Sequence, residues 1–351
     1  MEIFDSVVIG GGQAGLSSSY HLTKRGISHV LLDSNASPGG AWQHRWDALT
    51  MSDVHRVSDL PDDPIPDAAD TERANTFVPA YFADYERTHQ LPVIRPVQVR
   101  SVSDVDGLLR IEAERGTWLS RTLVNATGTW TRPFIPYYPG AETFAGEQLH
   151  TVDYPGPEHF RGRRVVVVGG GASAVQFLGA LRPLTETLWV TRREPVWRND
   201  EFTPEIGREV VARVEERVRQ GLPPRSVVSV TGLMLRPQER EAERLGAYER
   251  RPMFSRIEPD GVRWADGTFE PADVILWATG FRPAIEHLGP LHLRSPRGGI
   301  QLDGTTAVAD PRVQMVGYGP SASTIGANRA GRTAARGVAT WLASEAVGEL
   351  A

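Results

Sequence analysis

Val165-Val166-Val167-Val168-Gly169-Gly170-Gly171-Ala172-Ser173-Ala174 decides the fold of this chain. Four consecutive β-branched residues followed at once by glycines read as a short parallel strand, buried on both faces, that turns sharply into a helix. Glycine lets the backbone turn tightly and leaves N–H groups aimed at a phosphate at the N-terminus of that helix. The start of the chain repeats the pattern as Val7-Val8-Ile9-Gly10-Gly11-Gly12-Gln13-Ala14-Gly15. One such loop is a weak signal. Two in one chain, each with a strand before it and a helix after it, specify two phosphate-binding α/β units.

The two loops lead into different residues. After the first, a helix over residues 14–25 ends at Gly26, and a strand over 29–32 ends in Asp33, 23 residues beyond Gly10. That is where a dinucleotide fold places the acid that accepts hydrogen bonds from ribose hydroxyls. After the second, a helix over 173–181 and a strand over 187–190 lead to Arg192, 23 residues beyond Gly169, and then Arg193. A carboxylate suits a free ribose diol and repels a 2′-phosphate. Paired guanidinium groups hold that phosphate with charge and forked hydrogen bonds. The residues also fit plainer roles, Asp33 as a turn residue and the arginines as surface charge; their position in the repeat favours the ribose and phosphate roles.

The intervening sequence supplies further parts. Residues 37–46 pair glycines at Gly39-Gly40 with Trp42 and Trp46, a combination suited either to covering a flat ring or to anchoring a surface loop. Residues 61–67, rich in proline and aspartate, read as an exposed loop, and 78–89 as a helix that buries Tyr81, Phe82 and Tyr85. Turns at Asp106-Gly107 and Arg115-Gly116 divide 97–105, 108–114 and 117–124 into an antiparallel meander that ends at Ala126-Thr127-Gly128. The prolines at 155 and 157 mark a domain boundary. Charged helices over 204–220 and 238–245 read as solvated faces, and 262–269 as a hairpin. A buried strand over 273–280 ends in Ala278-Thr279-Gly280, repeating the earlier turn. A strand over 313–316 precedes a small-residue helix over 322–342, whose N-terminus suits the electron-rich edge of a reduced flavin.

Composition bounds the chemistry. The 351 residues suffice for about two domains. A net charge of −5 argues against a nucleic-acid partner. No run approaches the roughly 18 apolar residues of a membrane span, and Met1-Glu2-Ile3 lacks the basic start of a signal peptide, so a cytoplasmic protein without a membrane partner is expected. The chain has no cysteine. Disulfides, thiolate metal sites and cysteine nucleophiles are excluded, no metal site is expected, and any redox chemistry belongs to a bound cofactor.

Together these residues resemble the bacterial flavin-containing monooxygenases, over nearly the whole chain. Gly10-x-Gly12-x-x-Gly15 is similar to that family's FAD loop, Gly169-x-Gly171-x-x-Ala174 to its NADPH loop, and Phe144-x-Gly146-x-x-x-His150-x-x-x-Tyr154 to its fingerprint. Tyr154-Pro155 mixes the patterns of the heteroatom-oxidising members and the Baeyer–Villiger members. The resemblance implies an α/β fold of two Rossmann-like dinucleotide-binding domains, each a parallel sheet with a small antiparallel meander. The FAD domain would comprise 1–153 and 275–351, and the NADPH domain 154–274. For FAD it implies Gly10, Gly12, Gln13, Ala14, Gly15, Asp33, Ser34, Gly40, Ala41, Trp42, Gln43, Val99, Thr127 and Gly128, with Tyr318 and Thr324 near the flavin. For NADPH it implies Gly171, Ser173, Ala174, Arg192 and Arg193, with Ala278, Thr279, Gly280 and Phe281 along the same groove. As catalytic candidates it points to Asp53 and His55, in the region where many members carry an asparagine near the flavin, and to His150 on the interdomain connection. The implied reaction takes a hydride from NADPH to FAD and forms a C4a-(hydro)peroxyflavin with O2. One oxygen then passes to sulfur or nitrogen of a small-molecule substrate, or to a ketone. The alternative is an NADPH:acceptor oxidoreductase that reduces a quinone, ferredoxin or dye without oxygenation. A homodimer is left open.

Overall fold

An apolar run without alternation has to be covered on both faces, and both strands that lead into glycine loops are. In Ile3–Ile9, Val7 and Ile9 enter one buried cluster and Val8 another; in Val165–Val168, Val165 and Val167 enter one and Val166 and Val168 another. The computed structural model describes residues 2–54, 57–198, 212, 214–224, 232–322 and 324–348. Within it each of these strands is central, with parallel neighbours on both sides.

Ile3–Ile9 lies between Gly116–Asn125 and His29–Leu32 in a sheet to which nine strands of the described residues contribute. The expected meander is part of this sheet. Gly116–Asn125 pairs antiparallel with Leu108–Ala113 over its first half, then parallel with Val313–Met315 and Ile3–Ile9. The helix Gln13–Thr23 follows the first loop and packs on Thr324–Gly348, which starts two residues later and runs six further than expected. Small residues permit that contact: Ala327, Ala330, Ala334 and Ala335 share a core with Leu16, Tyr20 and Leu22.

The second sheet has five parallel strands in the order Arg250–Pro252, Thr187–Thr191, Val165–Val168, Val274–Trp277, Glu147–His150. A separate antiparallel sheet of Arg256–Glu258, Gly261–Arg263 and Phe269–Pro271 accompanies it. Two of these strands lie across the expected domain limits. Glu147–His150 precedes the limit at 153/154, and the limit at 274/275 cuts Val274–Trp277, yet both strands belong to the second sheet. Pro157 only opens a single 3-10 turn, Pro157–Phe160, whereas Val274–Trp277 needs a neighbour to pair its outer edge. The chain crosses between the sheets instead at residues 126–146 and 278–284. These two connections run side by side, with Phe134 N donating to Gly280 O (3.0 Å) and Arg282 N to Arg132 O (2.8 Å). Of the charged helix expected over 204–220, residues up to 211 and residue 213 lie outside the described set. Residues 214–219 are helical and bury Val214 and Val218.

Candidate active site

The repeated glycine loops and the repeated Ala-Thr-Gly turns are two halves of one device. Gly10 has φ +106°, and a Cβ on it would stand 2.5 Å from Ala126 O; Gly169 has φ +140°, and its Cβ would stand 2.2 Å from Ala278 O. Each loop is thus seated directly on the turn that ends the adjoining strand, a fit only glycine allows. Each then opens a helix capped by glycine, Gly12 or Gly171, with no side-chain cap and no acid in the first turn. Four N–H donors at each helix start are left for a ligand, at the positive end of the helix dipole.

At the first loop these donors open into a cavity of about 680 Å³. Gly10, Gly12, Gln13, Ala14, Asp33, Ser34, Gly40, Ala41, Trp42, Val99, Thr127 and Gly128 all border it. Gly40 packs so tightly on the loop that a Cβ would lie 2.7 Å from Gly12 Cα. Asp33 is nearly fully buried. Its carboxylate receives Arg95 Nη2 at 3.3 Å, and Arg95 is held in turn by Glu86 at 2.6 and 2.8 Å.

Gly15, Gln43 and Tyr318 are not among the residues that line the cavity. A Cβ on Gly15 would stand 1.8 Å from Gly10 O, so Gly15 lets the helix sit against its own loop. Gln43 donates from Nε2 to Ser37 O and Gly40 O and ties the loop together outside the cavity. Tyr318 is buried, its hydroxyl accepting from Ile300 N (3.0 Å). Thr324 begins the last helix; its side chain lies outside the described set.

The second loop is more open. Nothing lies within 4 Å of a Cβ placed on Gly171, and Ser173 is partly exposed above buried Ala174. Arg192 and Arg193 follow the neighbouring strand, both exposed and without an ion pair among the described residues. Their backbone is set by Thr191, whose hydroxyl donates to Arg193 O (2.7 Å) and accepts from Arg250 Nε (2.6 Å). Ala278 and Thr279 form the seat of this loop, Thr279 donating to Phe134 O. Phe281 departs from that group. It borders the large cavity and stacks on Trp130, ring centres 5.2 Å apart, with its other side against His150 at 5.1 Å.

Of the three catalytic candidates, His150 and Asp53 lie in different surroundings. His150 is 1% exposed and lines neither cavity; Nε2 donates to Gly280 O (3.0 Å) and Nδ1 accepts from Val152 N (3.3 Å). Both nitrogens are committed to backbone as the neutral ring, and burial holds its pKa below the ordinary histidine value. Both ring nitrogens are thus satisfied by backbone, on Gly280 and Val152. The Asp53 carboxylate accepts from Thr50 N and Oγ1, and its backbone carbonyl takes Gln176 Nε2 (2.9 Å) and Arg236 Nη1 (3.2 Å). It borders a separate cavity of about 250 Å³ on the helical side of the second unit. Its residues tie the first unit to the second. His55 lies outside the described residues.

Sequence reasoning missed Arg45, Trp130 and His287, which all border the large cavity. His287 donates from Nε2 to Asn125 Oδ1 (2.7 Å), and Asn125 donates to Thr127 Oγ1 (3.0 Å), which donates to Ala284 O (2.6 Å). Burial lowers the His287 pKa to about 4. Trp130 carried a signal, standing two residues after Gly128; His287 carried none.

With this geometry in place, likeness to known proteins becomes informative. The profile of the pyridine nucleotide-disulphide oxidoreductases matches residues 7–236. A structure of the flavin-containing monooxygenase from Stenotrophomonas maltophilia is 39% identical over 97% of this chain and all of that one, with a TM-score of 0.84. A doubly substituted variant of it gives 0.86. The chain belongs to the bacterial flavin-containing monooxygenases, within that wider family. The absence of cysteine separates it from the relatives whose disulfide the wider family is named for. An uncharacterized oxidoreductase, CzcO of Bacillus velezensis, is 27% identical over 57% of this chain and 61% of its own length. A Baeyer-Villiger monooxygenase of Streptomyces coelicolor is 29% identical over 62% of this chain and 42% of its own length. The match spans about half the length of these curated relatives. Among the described residues no helix is long and apolar enough to cross a membrane, and no cluster of three or more metal-ligating side chains occurs.

Proposed function

We propose that this flavin-containing monooxygenase binds FAD at the first loop and NADPH at the second, and oxygenates sulfur or nitrogen in a small-molecule substrate, or a ketone. The observation that carries the reading is the same loop-and-turn seat built twice, with buried Asp33 at one strand end and exposed Arg192-Arg193 at the other. The groups present fit FAD. Uncapped N–H groups of residues 12–14 would meet a pyrophosphate, Asp33 would stand at the ribose with Arg95 paired to it, and Val99 borders the same cavity. Bound there, FAD would supply hydride acceptance and oxygen activation.

The chain's own contribution is placement and exclusion of water. Trp42, Trp130 and Phe281 give the cavity aromatic walls where the two crossing connections meet. Heteroatom oxygenation needs no side-chain base, which agrees with Asp53 and His150 having structural roles.

The test is to load the protein with FAD and supply NADPH, O2 and a panel of thioethers, amines and ketones, following oxygenated product and the absorbance of the C4a adduct. Product formed in step with NADPH consumption is expected. NADPH-driven reduction of a quinone or dye, with no adduct and no oxygenated product, would establish the acceptor oxidoreductase instead.

A further inference from the structure

Three arginines border the large cavity: Arg45, Arg100 and Arg132. Two are neutralised, Arg100 by Glu114 (2.6 Å) and Arg132 by Glu286 (2.9 Å). Asp33, the carboxylate at the inner wall, is already matched by Arg95. Arg45 has no carboxylate partner among the described residues, and its Nε is buried with no hydrogen-bond partner. Its guanidinium lies on the face of Trp130, 4.3 Å from the ring centre, and 5.6 Å from that of Trp42. The backbone around it is pinned, Arg45 N donating to Trp42 O (3.1 Å) and Asn75 Nδ2 to Arg45 O (3.0 Å).

A guanidinium whose Nε is shut off from water with no counter-ion is costly, and the cation–π contacts recover only part of that cost. Burial draws its pKa down to about 10, which leaves it charged at neutral pH. Two indole rings flank the guanidinium, and its N–H donors, met by no carboxylate among the described residues, are what remains for a partner. A planar or tetrahedral oxyanion is the ligand that meets those donors two at a time.

We propose that Arg45 is an anion receptor in the cavity, holding either a phosphate of the bound dinucleotide or the carboxylate of an acidic substrate. The proposal rests on the cavity being the cofactor site. It assigns Arg45 a binding role that a cation–π staple between two tryptophans would not have. A staple holds charged and uncharged ligands in place equally. A receptor discriminates between them.

Two ratios separate the sources. Apoprotein is titrated with FAD and with riboflavin, which lacks the phosphates. Turnover of 4-(methylthio)benzoate is compared with that of methyl p-tolyl sulfide, its uncharged analogue. In Arg45→Gln, the FAD-to-riboflavin affinity ratio falls about tenfold or more if the anion is a phosphate, and the kcat/KM ratio of the two thioethers falls by a similar factor if it is a carboxylate. Arg45→Lys keeps the charge and loses the fork, and falls part of the way in the same ratio; it carries the test alone should Arg45→Gln not fold. Both ratios within about twofold of the wild type in folded variants overturn the proposal. Wild-type apoprotein that takes up no FAD overturns the cofactor reading, a separate failure.

Discussion

Gly169 and Gly171 stand two residues apart in one loop, yet alanine at each should fail in a different way. At Gly169 the φ of +140° is closed to an L side chain, and the new Cβ would be 2.2 Å from the carbonyl oxygen of Ala278. Backbone strain of this kind costs about 1–3 kcal/mol, and the overlap forces the loop off its seat as well. Gly169→Ala should therefore destabilise the fold by at least that much. At Gly171 the backbone is extended (φ −106°, ψ 178°), and nothing lies within 4 Å of the added Cβ. Gly171→Ala should fold as the wild type does, with a melting temperature lowered by a degree or two at most, since exchanging glycine for alanine at a helix N-cap costs roughly 1 kcal/mol or less. Its methyl occupies the space through which a pyrophosphate approaches the helix N-terminus. Weakening one charge-assisted N–H contact by about 1.5–3 kcal/mol raises the dissociation constant for NADP+ roughly 10- to 100-fold. Thermal unfolding reads the first effect and an NADP+ titration by tryptophan fluorescence the second. A Gly171→Ala protein that binds NADP+ as wild type, or a Gly169→Ala protein that melts as wild type, refutes the account of the loop.

Arg192→Gln should raise KM for NADPH severalfold more than KM for NADH if the exposed guanidinium serves the 2′-phosphate, as proposed; equal loss with both coenzymes places Arg192 outside that site. Arg95→Leu should destabilise the fold by about 3–5 kcal/mol, since it leaves Asp33 and Glu86 as buried carboxylates without a cation. A urea midpoint unchanged from wild type would contradict this. Burial lowers the pKa of His150 and His29, and takes His21 and His287 to about 4. These groups are neutral in the fold and bind protons more readily when it opens. Their contribution is complete above about pH 6.5 and is lost as pH falls from there toward 4. The urea midpoint should fall steadily between pH 7 and 5, and less steeply in His287→Gln; a flat profile over that range counts against the assignment.

Much of this protein is local, and so legible in its sequence. A run of four valines can only be a strand covered on both faces, and glycine after it marks the turn whether or not the rest of the chain is known. Asp33 and Arg192 are found by counting from that turn, because one strand–helix–strand unit has nearly constant length. The Ala126-Thr127-Gly128 and Ala278-Thr279-Gly280 turns were visible as a repeat, but their purpose was not. Only the parallel pairing of neighbouring strands brings Ala126 O against Gly10 and Ala278 O against Gly169. The same non-local pairing moved Glu147–His150 into the second sheet, where prolines at 155 and 157 had suggested a boundary. Distant pairing also sets His150 Nε2 on Gly280 O and brings Gln176 and Arg236 onto the backbone carbonyl of Asp53. Arg45 shows the limit most sharply. Its position next to Trp42 is written in the sequence, but that it lacks a counter-ion among the described residues depends on where the carboxylates of the fold come to rest. Charge balance inside a cavity is a property of the assembled structure, and the sequence by itself could name the loops but not the cation left open beside them.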